Sequence, residues 1–289
     1  MTALALPYHL GCPSWSDTAW RGRFYPGDTQ AGDSLGLYAQ VFNAVEGNTT
    51  FYAWPAPGTV ERWARIMPEH FRFTAKFPRE VSHGADLPGQ LETAWNFIRL
   101  LRPLGERVSP LWLQLPASFG PNRLGELAAF IEGLGCALAV EVRHLAFFDK
   151  GPDERALNRL LRDTGVERVC LDSRALFSVA SNDPGILHAQ GQKPKVPVRP
   201  AAFSQSPQVR FIGLPVVKDN EPFLVPWVEK VAEWIEEGRR PYIFLHTADN
   251  RDAPALARYF HEQLGVRLPG LPALPTLAST KASTQLGLL

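Results

Sequence analysis

Residues 137–144 read Ala-Leu-Ala-Val-Glu-Val-Arg-His, and the alternation within this run decides the fold. Side chains of a strand point to opposite faces in turn, so Leu138, Val140 and Val142 share one face while Ala137, Ala139, Glu141 and Arg143 share the other. The first face is wholly apolar and calls for a helix over it. The second begins with small residues and ends in a carboxylate and a guanidinium, which the dry interior of an ordinary sheet does not accept unpaired. A closed parallel barrel meets both demands. Its outer wall lies beneath helices, its interior is filled by side chains, and the carboxyl ends of its strands open into a solvent-facing mouth.

The rest of the chain fits that template. Short apolar runs at 9–12, 44–48, 71–78, 111–116, 137–144, 169–172, 209–213 and 242–246 read as eight strands. Between them lie helical patterns at 34–42, from Pro57 onward, at 90–101, after a cap at Asn122, and at 153–162, 225–237 and 253–264. Eight strands, seven of them followed by a helical pattern, predict a single α/β domain, a (β/α)8 TIM-like barrel, rather than an open doubly wound sheet. Residues 181–206, rich in Pro, Gly, Gln and Ser, read as a long loop after strand six, over the mouth or as a partly mobile lid, with only short turns. The barrel takes residues 1–267, and the Pro- and Ser-rich stretch 268–289 reads as an extended or disordered tail.

The bulk numbers agree with this architecture. The 289 residues are 45% hydrophobic and 20% charged, an ordinary globular composition, and a barrel of this type needs roughly 250 residues. A formal charge of +1 argues against a protein wrapped in nucleic acid. Cys12, Cys136 and Cys170 are odd in number and widely spaced, the pattern of reduced thiols, with Cys136 and Cys170 read as core. The first residues carry no basic leader, and no apolar run approaches the ~20 residues of a membrane span. The expectation is a cytoplasmic protein with no membrane partner.

Phasing each strand by its apolar face puts Glu46, Lys76, Gln114, Glu141 with Arg143, Asp172, Arg210 and His246 at the inward carboxyl ends of strands two to eight. Three acids there face three bases, so the mouth is nearly neutral as a whole while its local fields are strong. Glu46, Glu141, His144, Asp172 and His246 are the candidate catalytic groups. A carboxylate beside a guanidinium is held ionised, and an imidazole titrates near neutral pH. Lys76, Arg143 and Arg210 suit a phosphate or carboxylate on a ligand; Trp15, Asn48, Tyr52 and Gln114 complete the candidate binding set.

Five motifs in order carry a family resemblance: Gly-Cys-Pro-Ser-Trp-Ser at 11–16 with Arg-Phe-Tyr-Pro at 23–26; Phe-Asn-Ala-Val-Glu-Gly-Asn-Thr-Thr-Phe-Tyr at 42–52; Phe-Arg-Phe-Thr-Ala-Lys-Phe-Pro at 71–78; Gln-Leu-Pro at 114–116; and Val-Glu-Val-Arg-His at 140–144. The chain resembles the YecE-like family from about residue 9 to residue 264. The resemblance implies a TIM barrel and assigns no activity.

The reading that follows is an enzyme acting on a small anionic substrate, phosphorylated or carboxylated, by carboxylate acid/base chemistry at the barrel mouth. It requires no cofactor and assigns no metal ligands, because fixed cations already neutralise the acids. One alternative is a metal-dependent phosphodiesterase acting on nucleic acid, with a divalent ion among the acids. Another is a non-catalytic protein that keeps the mouth as a ligand pocket. Oligomeric state is not legible in the sequence.

Overall fold

The computed structural model describes residues 6–277. Nine short strands run through it: β1 (His9–Gly11), β2 (Ala44–Gly47), β3 (Arg72–Ala75), β4 (Leu111–Gln114), β5 (Leu138–Glu141), β6 (Glu167–Arg168), β7 (Cys170–Asp172), β8 (Gln208–Ile212) and β9 (Tyr242–His246). Every pairing is parallel, and the strands form three sheets in the orders β1-β9-β8-β7, β2-β3 and β4-β5-β6. The fold is therefore α/β with parallel sheets, which do not close into one continuous ladder.

Other groups bond across the gaps between sheets. Between β1 and β2 the Asn43 amide accepts from Leu10 N at 2.8 Å and donates to Tyr8 O at 2.8 Å, while Glu46 N donates to Cys12 O at 3.1 Å. The Tyr38 hydroxyl accepts from Cys12 N at 2.7 Å and donates to Ala44 O at 2.9 Å. Gly11 allows this approach, because a Cβ there would run into Ala44 O. Between β3 and β4, Phe77 N donates to Trp112 O at 2.9 Å, and Val169 N, between β6 and β7, donates to Val140 O of β5 at 2.9 Å.

The connecting segments hold the helices that the apolar spacing requires. Among them are Pro57–Ile66 and Pro152–Asp163, each with proline in its first turn, and Leu91–Leu101, Glu221–Glu236 and Ala253–Arg267. Helix Leu124–Leu134 ends at Gly135, which has φ 60°. Asn122 does not cap that helix; it lies in a 3-10 turn, Pro121–Arg123, and the cap position is Arg123. Residues 181–206 hold more than turns. Helix Pro184–Gln192 is started by the Asp183 carboxylate, which accepts from Ile186 N at 3.0 Å.

One apolar core lies between strands and helices, and a second, separate cluster consists of Ala44, Trp112, Ala139, Val169, Tyr242 and Phe244. This second cluster draws on β2, β4, β5 and β9, so these strands share an inner side as well as an outer one. Burying an aromatic such as Phe244 there contributes about 1.5–3 kcal/mol. Cys12 and Cys170 are buried, but Cys136 is exposed at the start of β5, where the chain turns out of a helix, and so is not core. Of the tail, residues 268–270 form a turn and residues 271–277 have neither helix nor strand, with His261 Nε2 of helix Ala253–Arg267 donating to Pro272 O at 2.9 Å; residues 278–289 lie outside the described residues. No helix among the described residues is long and apolar enough to cross a membrane.

Candidate functional site

Alternation along the strands carries the apolar inner cluster into an ionic layer at their carboxyl ends. Two residues beyond Ala44 on β2 stands Glu46, two beyond Ala139 on β5 stands Glu141, and two beyond Phe244 on β9 stands His246. Lys76 follows β3, and Arg210 lies on β8.

Glu46 is the hub. Its Oε1 lies 2.7 Å from Lys76 Nζ and 3.0 Å from Arg210 Nε, and its Oε2 lies 2.6 Å from His246 Nε2. Glu141 takes the other side of Arg210, with Oε2 at 3.4 Å from Nη1, and holds Arg143 through Oε1 at 2.7 Å from Nη2 and 2.8 Å from Nε. Lys76 also donates to Gln114 Oε1 at 3.0 Å and lies 4.5 Å above the Trp112 ring.

The electrostatics follow from this packing. Burial by itself would raise the carboxyl of Glu46, but Arg210 and Lys76 hold it well below the usual range. Glu141 is likewise opposed by burial yet brought down to about 2 by Arg143, Arg210 and Lys76. Burial and then Arg210 lower the Lys76 amine to about 8 against the pull of Glu46 and Glu141. Burial takes His246 down to about 4, so at neutral pH its ring is uncharged. A carboxylate can only accept, so Nε2 carries the hydrogen given to Glu46, and that contact is a hydrogen bond rather than an ion pair. Both carboxylates are therefore fixed anions.

Above this layer opens a cavity of about 480 Å³. Lys76, Gln114, Arg143, Arg210 and His246 line it, as do Asn48 and Tyr52, which is 81% exposed. Three candidates lie elsewhere. Asp172 is buried on the opposite face of its strand, where it accepts from Trp227 Nε1 at 2.7 Å and from Arg174 Nη2 at 2.8 Å. Its strand is apolar on both faces, so hydrophobicity could not set the phase. His144 lies at a 3-10 turn and accepts from Ala146 N at 3.2 Å. Trp15 packs edge-on against Trp63 and Phe73, with centroids 5.3 and 5.8 Å away.

The cavity also gathers residues that pattern reading missed: Asp17, Arg79, His83 and Lys193. His83 and Asp17 fall in loops after strands, and such loops are where site residues concentrate. Lys193 lay in the aperiodic stretch and gave no signal. Among the described residues no three His, Cys, Asp or Glu side chains are grouped to hold a metal ion.

Parallel strands with titratable side chains gathered at their carboxyl ends beneath an open, cation-lined cavity define an α/β protein with parallel sheets. The chain belongs to the family described as "Protein of unknown function DUF72", whose profile matches residues 9–280. It is 40% identical over 272 residues to the UPF0759 protein YecE of Escherichia coli strain K12, covering 93% of this chain and 97% of that one, and equally so to its O157:H7 counterpart. Its fold is similar to that of the DUF72 protein TM1631 of Thermotoga maritima, with a TM-score of 0.67 at 25% identity over 89% of this chain and 98% of that one. A DUF72 protein of Enterococcus faecalis, EF0366, gives a TM-score of 0.66 at 17% identity, covering 92% of this chain and 98% of that one, and supports the fold alone.

Proposed function

We propose that the protein is an enzyme that binds a small anionic substrate, phosphorylated or carboxylated, in the cavity at the carboxyl ends of its strands. The three sheets then serve as one (β/α)8 barrel, with β6 and β7 as two halves of a single stave; the bonds across the gaps between sheets support this. The observation that carries the reading is the charge balance of the cavity. Lys76, Arg143 and Arg210 exceed Glu46 and Glu141 by one positive charge, Arg79 offsets Asp17, and Lys193 adds to the excess when protonated.

Within that reading the carboxylates are counterions. A carboxyl held well below its ordinary range is a weak base at neutral pH and is never an acid there, so Glu46 and Glu141 position Lys76, Arg143 and Arg210. Proton transfer falls to Lys76, whose amine is lowered to about 8 and lines the cavity. The carboxylate oxygens of this layer are engaged by Lys76, Arg143, Arg210 and His246, which favours an ion-paired site over a metal-dependent phosphodiesterase. The free thiols favour a cytoplasmic location.

The test is a melting screen of the purified chain against phosphate, phosphate monoesters, small dicarboxylates and neutral sugars, followed by turnover assays on the ligands that bind. Anions are expected to raise the melting temperature and neutral sugars to leave it unchanged. Arg143→Gln should weaken anion binding about tenfold or more, the scale of a lost charge-assisted bond. Lys76→Met should abolish turnover while binding remains. No shift with any anion would overturn the reading, and binding without turnover would leave a ligand-binding protein.

A further inference from the structure

The cations of the cavity are of two kinds. Lys76, Arg143 and Arg210 are committed to Glu46 and Glu141, whereas the side chains of Arg79 and Lys193 have no hydrogen bond or ion pair among the described residues. Arg79 is exposed and loses little by this. Lys193 is half-buried, and an amine withdrawn from water without a partner costs free energy.

Lys193 is also held in place. Just before it, the Gln190 amide donates to Leu176 O at 2.8 Å and to Val179 O at 3.1 Å; just after it, Ser173 Oγ donates to Pro194 O at 2.8 Å. Its own backbone N donates to Ala189 O, ending helix Pro184–Gln192. The segment is thus pinned on both sides of a lysine whose amine lines the cavity unpaired. Such a group is stabilised only when something in the cavity pairs with it.

We propose that Lys193 receives the anionic end of the ligand, a tetrahedral dianion such as a phosphate monoester, and takes up a proton from solvent as that group arrives. This rests on the reading of the cavity as an anion site and adds which residue meets the anion and what the encounter does. Facing Lys193 are Glu46, Lys76, Glu141, Arg210 and His246 from the ionic layer. Asp17, Arg79, His83 and Arg143 complete the charged and titratable wall of the same cavity. Burial, then Arg210, lowers the Lys193 amine to about 7, so near neutral pH a large share of it is uncharged and ready to accept a proton. His83 and His246 are both lowered from 6.5 and stay uncharged above neutrality.

Sulfate is the probe, because its charge of −2 does not change with pH. Its affinity is measured by calorimetry at constant ionic strength at pH 7 and pH 8, for wild type, Lys193→Arg and Lys193→Gln. Wild-type affinity should fall about five- to tenfold over that unit, about fivefold from a group that loses its proton near 7 and up to about twofold more from Lys76. Lys193→Arg, charged throughout, should change about twofold or less, the remainder that Lys76 contributes. Lys193→Gln should bind about tenfold or more weakly at pH 7. An undiminished fall in Lys193→Arg, or wild-type affinity in Lys193→Gln, would overturn the assignment and leave the anion site standing. Absence of sulfate binding in the wild type would overturn both.

Discussion

The inner side of these strands carries two layers of opposite chemistry. Towards the amino ends Ala44, Trp112, Ala139, Val169, Tyr242 and Phe244 pack as an apolar cluster; towards the carboxyl ends Glu46, Glu141, Lys76, Arg210 and His246 form a buried ionic network. They meet at Trp112, whose ring lies under Lys76. Apolar burial is favourable on its own, whereas a buried ion network roughly balances Coulomb attraction against desolvation. The first layer therefore stabilises the fold, and the second adds little net stability; on the function proposed above it serves the ligand.

Breaking the apolar layer should have the largest effect. Phe244→Ala should cost about 4 kcal/mol in urea unfolding, within the range for a large aromatic removed from a core. A cost under about 1 kcal/mol would mean that the inner cluster is not packed as described.

Glu46→Gln should cost about 3 kcal/mol, because it leaves buried Lys76 and Arg210 without their shared anion. The two layers should then part company. Adding Lys76→Met to Glu46→Gln removes one of the stranded cations and should recover part of the loss, so the double variant should be more stable than the sum of the singles. No second substitution that only removes atoms should rescue Phe244→Ala.

Acid should act on the ionic layer in two stages. His246 titrates at about 4 in the fold against 6.5 ordinarily, so the unfolded chain binds more protons between these values and stability falls as pH drops from 6.5 towards 4. Glu141, and Glu46 below its ordinary 4.5, add a second loss as pH falls from 4.5 towards 2. Urea midpoints at pH 7, 5 and 3 should decline in both intervals. His246→Gln should shrink the first, leaving the part due to His9, which burial takes down to about 3, and should leave the second. Lys193→Gln should cost no stability and should raise the urea midpoint, because it removes an amine that the fold withdraws from water without a partner.

The ionic layer was legible wherever a strand had one apolar face and one face ending in charge, as with Glu141, Arg210 and His246. It was illegible at Asp172. Cys170 and Asp172 point to the helices and Leu171 to the inside, and a strand buried on both sides gives no hydrophobic phase. Lys193 was hidden for a different reason. Helix Pro184–Gln192 contains two glycines and a weak apolar stripe, so its only local signature was Asp183 followed by proline, a cap and a first-turn residue. The expectation that Glu46 and Glu141 would carry protons came from residue type; the number of cations on each emerges only in three dimensions.

Carboxyl carbon-13 resonances of Glu46 and Glu141, assigned with the Gln variants and followed from pH 8 to pH 3, report directly whether these two carboxylates are permanent anions. Both should stay at the carboxylate position across neutral pH, and Glu141 should remain largely ionised at pH 3. A resonance that titrates between pH 5 and 7 would contradict permanent ionisation and return proton transfer to the carboxylates.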